Sequence, residues 1–327
     1  MSARGVAQRT MRAAVLASPG CLELRERPIP APTSGEVLVR LEGSGVCASN
    51  LAVWAGQPWF DYPLPAGAPG HEGWGVVDAV GSAVAEVAEG DRVALLSQSA
   101  YAEYDMVSAD QIVPLPPGLD GAAFPGEPLG CAMNIFRRSG VAAGQTIAVV
   151  GIGFLGALLT QLASGVGARV IAVSRRDLSL SVGTAMGAAA AVPLQDPSST
   201  VDEVRELTGG ELCDVVIEAT GKQSPLDLAA KLTRVRGRLV IAGYHQDGPR
   251  QVDMQLWNWR GLDVINAHER DPAVYRQGMR EAVEAIVSGR LDPALLYTHR
   301  YPLERLDEAL DATRDRPDGF LKALVTV

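Results

Sequence analysis

The sequence predicts a two-domain α/β protein, a doubly wound parallel sheet preceded by a compact β-rich unit. Three observations carry this. The chain has 327 residues, more than one hydrophobic core usually organises. Residues 11–125 alternate short β-rich runs with proline- and glycine-rich turns. After Pro125, continuous apolar runs alternate with segments of helical spacing, as in strands buried on both faces of a parallel sheet.

The β-rich runs are MRAAVLA, EVLVRLEGSGV, GWGVVDAVG and DRVALL, broken by PAPTSGE, VAEGD and PLPPG. Between them, LAVWAGQPWFDYPLPAGAPGHEG is rich in aromatics and prolines and reads as a surface loop. EPLGCAMNIFRRSGV has helical spacing and opens the second domain, expected over 127–269. Its strands are expected at Thr146–Val150 and Arg169–Val173, then in CDVVIEATG and GRLVIAGYH. The remainder reads as helix, turn, strand, helix, with a last strand in LKALVTV. Residues 270–327 are expected to return to the first domain, 1–126.

Apolar residues make up 47% of the chain and the formal net charge is −9. That charge disfavours nucleic acid and anionic membrane as partners. The N-terminal MSARGVAQRT has no apolar core of a secretory signal, and no apolar run reaches the ~18 residues a membrane helix needs. Cys21, Cys47, Cys131 and Cys213 are widely spaced without a CxxC pair, which suits a reducing cytoplasm.

Gly151-Ile152-Gly153-Phe154-Leu155-Gly156 is a GxGxxG between an apolar strand and an apolar helix. In that context it marks a Rossmann dinucleotide site. The first glycine makes the turn, the second admits the pyrophosphate, and the third lets helix and strand pack. An NAD site usually carries an acid at the end of the next strand. Here stand Ser174, Arg175 and Arg176, which suit a 2′-phosphate, so NADP is expected over NAD. Ala219, Ala242 and Asn266, at the ends of later strands, complete the candidate cofactor contacts.

In GSGVCASN, Cys47 is followed two residues later by Ser49. Alone, Cys47 reads either as a small buried residue or as a thiolate ligand. His71 and Glu72 lie in GHEGWG, and Glu127 opens the helix of the second domain. Thiolate, imidazole and carboxylate are the usual donors to zinc.

The combination resembles the medium-chain dehydrogenase/reductase superfamily, in its zinc-dependent alcohol and polyol (sorbitol-dehydrogenase-like) branch. The signature G-H-E-x2-G-x5-G-x2-V runs from Gly70 through Gly75 and Gly81 to Val84. GVCAS, GEPLGCAMNIFRRSGVAAGQTIAVVGIGFLG and the C-terminal KALVTV also resemble that branch. The resemblance implies that the β-rich unit is a GroES-like catalytic domain. It implies that Cys47 and His71 ligate a catalytic zinc, with Glu72 and Glu127 as exchanging carboxylates, one bound directly and the other through water. Cys131 has poorer register as a ligand. Ser49 would relay the alcohol proton.

Three departures qualify the resemblance. Asn50 stands where relatives carry aspartate, and its carbonyl is expected to accept the His71 N–H. Ala52 replaces a relay histidine. ALLSQSA replaces a four-cysteine lobe, so one catalytic zinc and no structural zinc are expected. The implied substrate is a secondary alcohol or ketone of a polyol, sugar or cyclitol, with Trp54, Trp59, Phe60 and Tyr62 as candidate contacts. His268 stands where relatives hold the nicotinamide amide. A homo-oligomer, dimer or tetramer, is expected. A zinc-free NADPH-dependent reductase of an activated double bond, and a non-enzymatic NADP-binding protein, remain the alternatives.

Overall fold

The computed structural model describes residues 9–327. Residues 1–8, expected to carry no secretory signal, lie outside the described residues. The chain divides into two compact units, one of residues 9–127 with 297–327 and the other of 128–296. Among the described residues no helix is long and apolar enough to cross a membrane.

The first unit begins with the antiparallel pair β1 (Thr10–Ser18) and β2 (Cys21–Pro28). Then follow β3 (Glu36–Gly45), the short α1 (Asn50–Trp54), β4 (Gly73–Val80), β5 (Arg92–Leu95), β6 (Tyr104–Ser108) and β7 (Ile112–Pro114). In β3 the apolar Val37, Leu38, Val39 and Leu41 are all buried, as befits a strand covered on both faces. Its first half pairs with β6, and its last three residues pair with a strand from the far end of the chain.

Helix α2 (Gly126–Ser139) leads into the second unit: β8 (Thr146–Val150), α3 (Phe154–Gly165), β9 (Arg169–Ser174), α4 (Asp177–Ala185), β10 (Ala190–Pro193), α5 (Pro197–Leu207) and β11 (Cys213–Glu218). It continues with α6 (Gln223–Leu232), β12 (Thr233–Ile241), α7 (Met254–Arg260), β13 (Asp263–Asn266) and α8 (Pro272–Val287). The sheet order is β10-β9-β8-β11-β12-β13, all parallel. Order reverses between β8 and β11, the switch point beyond whose strand ends such sheets bind ligands. Val149, Val150, Ile171 and Val216 are fully buried, so the apolar runs are the doubly covered strands that the sequence predicts.

The chain returns to the first unit at Tyr297, later than the expected residue 270. Packing explains the difference. A Cβ on Gly130 of α2 would meet the Met279 backbone nitrogen of α8 at 2.9 Å, so the two helices lie in close contact. Arg137 and Glu281 form an ion pair at 2.6 Å, and the Asn134 amide donates to the Val274 carbonyl at 3.2 Å. These contacts hold α8 in the second unit. Then β14 (His299–Pro302), α9 (Leu306–Asp315) and β15 (Ala323–Thr326) complete the first. Its large sheet runs β14-β15-β3-β4-β5-β7, so β15 is an interior strand, parallel to β14 and antiparallel to β3.

Candidate metal centre and dinucleotide site

Cys47 lies in the turn where β3 gives way to α1. The backbone is pinned on both sides, by Val46 N–H to the Ala323 carbonyl at 3.0 Å and by Asn50 N–H to the Cys47 carbonyl at 3.0 Å. His71 and Glu72 immediately precede β4, the neighbour of β3. This pairing brings sulfur, ring nitrogen and carboxylate oxygen of Cys47, His71 and Glu72 within 4.8 Å of one another. A soft thiolate, an imidazole and a hard carboxylate form a donor set that zinc accepts. Glu127 is not one of this group, yet its charge acts on His71 more strongly than that of Glu72.

Glu72 is fully buried. A Cβ on Gly45 would stand 1.8 Å from Glu72 Oε2, so only glycine leaves room for the carboxylate. The Lys322 ammonium donates to Oε1 at 2.7 Å and lies 2.6 Å from Oε2. Oε2 thus has the ion pair but no hydrogen bond.

His71 donates from Nδ1 to the Pro69 carbonyl at 2.9 Å, which leaves Nε2 as the ligating atom. Nε2 lies 3.5 Å from the Ser49 hydroxyl. Burial works against charging this ring. The hydrogen bond to Cys47, then the charges of Cys47, Glu127 and Glu72, override burial and push its pKa to about 10.

Asn50 does not meet the ring as expected. Its amide donates to the Pro69 carbonyl at 3.1 Å, and its side-chain oxygen accepts from the Tyr101 hydroxyl at 2.8 Å. The imidazole and the amide both donate to one carbonyl, so Asn50 acts on His71 through Pro69.

In the second unit, the glycine turn follows β8. Gly151 has φ +100°, and a Cβ there would strike Thr220 at 2.3 Å. A Cβ on Gly156 would meet the Gly151 carbonyl at 2.0 Å, so α3 packs tightly on the turn. Around Gly153 there is open space, and the N-terminus of α3, opened by Phe154 and Leu155, has no side-chain cap. An uncapped helix N-terminus of this kind is where an anion is favoured. Glu218, Ile241 and Asn266 align across β11, β12 and β13, so Ala219 and Ala242 follow aligned strand ends. Ser174 is buried at the end of β9, Arg175 is exposed and Arg176 is half-buried.

The aromatic loop divides. Trp54 is only 5% exposed, packs with Leu306, Leu310 and Phe320, and donates its indole N–H to Asp311 at 2.9 Å. It is a core residue and offers no face to a substrate, which corrects the sequence expectation. Phe60 and Tyr62 are half-buried against the same core. Trp59 is 58% exposed, with its ring centroid 6.0 Å from that of Phe60. His268 packs against Tyr244, with ring centroids 5.2 Å apart.

The sequence reading missed Lys322, whose partner Glu72 lies 250 residues away. It also missed Tyr101 and Glu218. The buried Glu218 accepts from the N–H groups of Thr220 and Gly221 and from His245 Nε2 at 3.0 Å. Arg250 donates to His245 Nδ1 at 2.8 Å, which fixes the other ring proton on Nε2. This network shapes the turn beside Ala219.

Comparison with known proteins agrees with both units. Residues 33–117 match the alcohol dehydrogenase GroES-like domain, and residues 155–285 match the zinc-binding dehydrogenase domain. L-galactonate-5-dehydrogenase of Escherichia coli K12 is 26% identical, the match covering 97% of this chain and 99% of that protein. Sorbitol dehydrogenase of Gallus gallus is 29% identical over 92% of this chain and 93% of that protein. A zinc-binding dehydrogenase of Sinorhizobium meliloti, solved bound to NADP, superposes with a TM-score of 0.83 at 27% identity, over 98% of this chain and 100% of that one. With the two domain matches spanning most of the sequence, this chain belongs to the zinc-dependent medium-chain dehydrogenases, polyol-dehydrogenase-like oxidoreductases that act on CH–OH groups.

Proposed function

We propose that this chain interconverts a secondary alcohol and its ketone on a polyol, sugar or cyclitol, with one catalytic zinc and with NADP preferred over NAD. The observation that carries this is the convergence of Cys47, His71 and Glu72 beside the Ser49 hydroxyl. Cys47 and His71 hold the metal, and a carboxylate of Glu72 or Glu127 completes the set. Zinc bound there supplies Lewis acidity that lowers the pKa of an alcohol. The nicotinamide supplies the hydride acceptor.

The remaining steps belong to the chain. The Pro69 carbonyl keeps the His71 proton on Nδ1 and so keeps Nε2 free. Ser49 Oγ accepts the proton leaving the alcohol and passes its own towards solvent. Trp59 and Phe60 offer ring faces on which a hydroxylated substrate stacks. Gly153 and the N-terminus of α3 receive the pyrophosphate, Asn266 lies at the nicotinamide end, and Ser174, Arg175 and Arg176 meet the 2′-phosphate. The solved relative from Sinorhizobium meliloti, bound to NADP, supports that choice. A reducing cytoplasm suits Cys47 as a ligand, since all four cysteines are free thiols. A dimer or tetramer belongs to the same reading.

Elemental analysis of chelator-free protein tests the metal, and one zinc per chain is expected. Cys47→Ser should lose most of it, together with nearly all alcohol oxidation. Comparing kcat/KM across polyols, sugars, cyclitols and simple primary alcohols tests the substrate. Two tightly held zincs, or none after zinc supplementation, overturns the metal assignment. Ethanol or benzyl alcohol winning by about tenfold, ~1.4 kcal/mol at the transition state, overturns the polyol assignment.

A further inference from the structure

We propose that His245 is a positioning residue for the nicotinamide half of the dinucleotide: its ring ties the turn after β12 to the turn after β11 and fixes the spacing of Ala219 and Ala242. This rests on the dinucleotide reading above and deepens it.

The Glu218 side chain is 0% exposed and that of His245 is 14% exposed. The two carboxylate oxygens of Glu218 have different partners. Oε1 accepts from the N–H groups of Thr220 and Gly221 and from the Thr220 hydroxyl, all within its own turn. Oε2 accepts from His245 Nε2 at 3.0 Å, its one hydrogen-bond donor among the described residues. On the other side of the ring, Arg250 donates from Nε to His245 Nδ1 at 2.8 Å and from Nη2 to the Gly221 carbonyl at 2.9 Å. A guanidinium only donates, so Nδ1 is the acceptor and Nε2 carries the proton. The ring is thereby held in one tautomer between two fixed partners.

The two turns also touch backbone to backbone. A Cβ on Gly243 would stand 2.1 Å from the Gly221 nitrogen, and one on Gly221 would stand 2.3 Å from the Tyr244 carbonyl oxygen. The N–H groups of Ala242 and Gly243 both donate to the Glu218 carbonyl at 2.8 Å. The seat of Glu218 therefore sets the places of Ala219 and Ala242. Without the imidazole, Oε2 is a buried carboxylate oxygen with no donor, a state costly enough for the turn to shift instead. Apolar side chains would join two turns at less cost than a buried carboxylate. The network therefore calls for a reason other than stability, and fixed spacing is that reason.

Strand order says which half of the cofactor feels it. The sheet runs β10-β9-β8-β11-β12-β13. In the reading above, the 2′-phosphate meets Ser174 at the end of β9, and the pyrophosphate meets the N-terminus of α3, just after β8. The nicotinamide half then extends across the switch point, over the ends of β11 and β12. Glu218 and His245 belong to those two ends. The adenosine half lies on the other side of β8, away from the network.

Titration calorimetry on the full-length protein tests this, comparing the tighter of NADP and NAD with its adenosine half alone, 2′,5′-ADP or AMP. His245→Leu should weaken the dinucleotide at least tenfold and leave the adenosine half within threefold of the parent. A general loosening of the second unit weakens both alike. Equal losses overturn the proposal, and so does a dinucleotide loss smaller than tenfold. His245→Gln keeps an N–H for Glu218 and an oxygen for Arg250, and should bind the dinucleotide within threefold of the parent. A glutamine variant as weak as the leucine one overturns the positioning role, because the cofactor then needs the imidazole itself. If His245→Leu does not fold, Arg250→Leu decides, since it removes the donors to Nδ1 and to the Gly221 carbonyl. The same split between dinucleotide and adenosine half supports the proposal, and any other pattern overturns it. A parent that binds neither dinucleotide sinks both this inference and the dinucleotide reading. A parent that binds one of them, with His245→Leu unchanged, sinks this inference alone.

Discussion

The Tyr101 hydroxyl donates to the Asn50 side-chain oxygen at 2.8 Å, and both residues are buried. The Asn50 amide in turn meets the Pro69 carbonyl that receives the His71 proton. Tyr101→Phe leaves the Asn50 oxygen without this donor. An unsatisfied buried acceptor costs about 1–3 kcal/mol, so urea unfolding should show a loss in that range. Zinc affinity should fall by less than in Cys47→Ser, because Tyr101 acts only through Asn50 and Pro69. Equal stability in the two proteins would mean that another donor replaces the phenol.

In the proposed function, cofactor choice turns on Ser174, Arg175 and Arg176. An exposed guanidinium such as Arg175 attracts a 2′-phosphate through solvent, and salt screens that attraction. Titration calorimetry should therefore show NADP binding more tightly than NAD at low salt, with the gap narrowing as salt rises. Ser174→Asp with Arg175→Ala should reverse the order, since a carboxylate accepts from the ribose 2′-OH and repels the phosphate. Equal binding of both cofactors by the parent at low salt would show these arginines to be solvated surface charge.

Asp105 on β6 is pushed up from its ordinary pKa of 3.8 by burial, against the hydrogen bonds it accepts from Ser97 and Met106. A carboxyl whose folded pKa is raised costs the fold nothing below pH 3.8, where it is protonated in both states. Its cost grows as pH rises through 3.8 and is complete above the folded value. Asp105→Asn should accordingly raise Tm at pH 7, with the gain shrinking as the pH is lowered towards 3.8. A gain that persists unchanged at low pH would point to packing rather than ionisation.

Legibility in the sequence follows distance along the chain. The glycine turn was readable because Gly151, Gly153 and Gly156 sit within six residues, and β8 falls at Thr146–Val150 as the apolar run predicts. His71 and Glu72 were readable through a local glycine pattern. Lys322 was not, since its partner lies 250 residues away and only the β15–β3 register joins them. Trp54 misled because a proline-rich neighbourhood suggested a loop, whereas a short helix turns its ring onto the core. The late return at Tyr297 was hidden because α8 is amphipathic in the same way whichever unit it covers.

The interior place of β15 has a consequence for synthesis. Cys47, His71 and Glu72 leave the ribosome early, while Lys322 and β15 follow only after the whole second unit has been translated. At about 5–20 residues per second, the 250 residues separating Glu72 from Lys322 take roughly 10–50 s to emerge. Throughout that interval the last residues of β3 lack their β15 partner, and Glu72 lacks its cation. The cluster of Cys47, His71 and Glu72 therefore gains its buried cation only after translation has passed Lys322, later than every residue of the second unit.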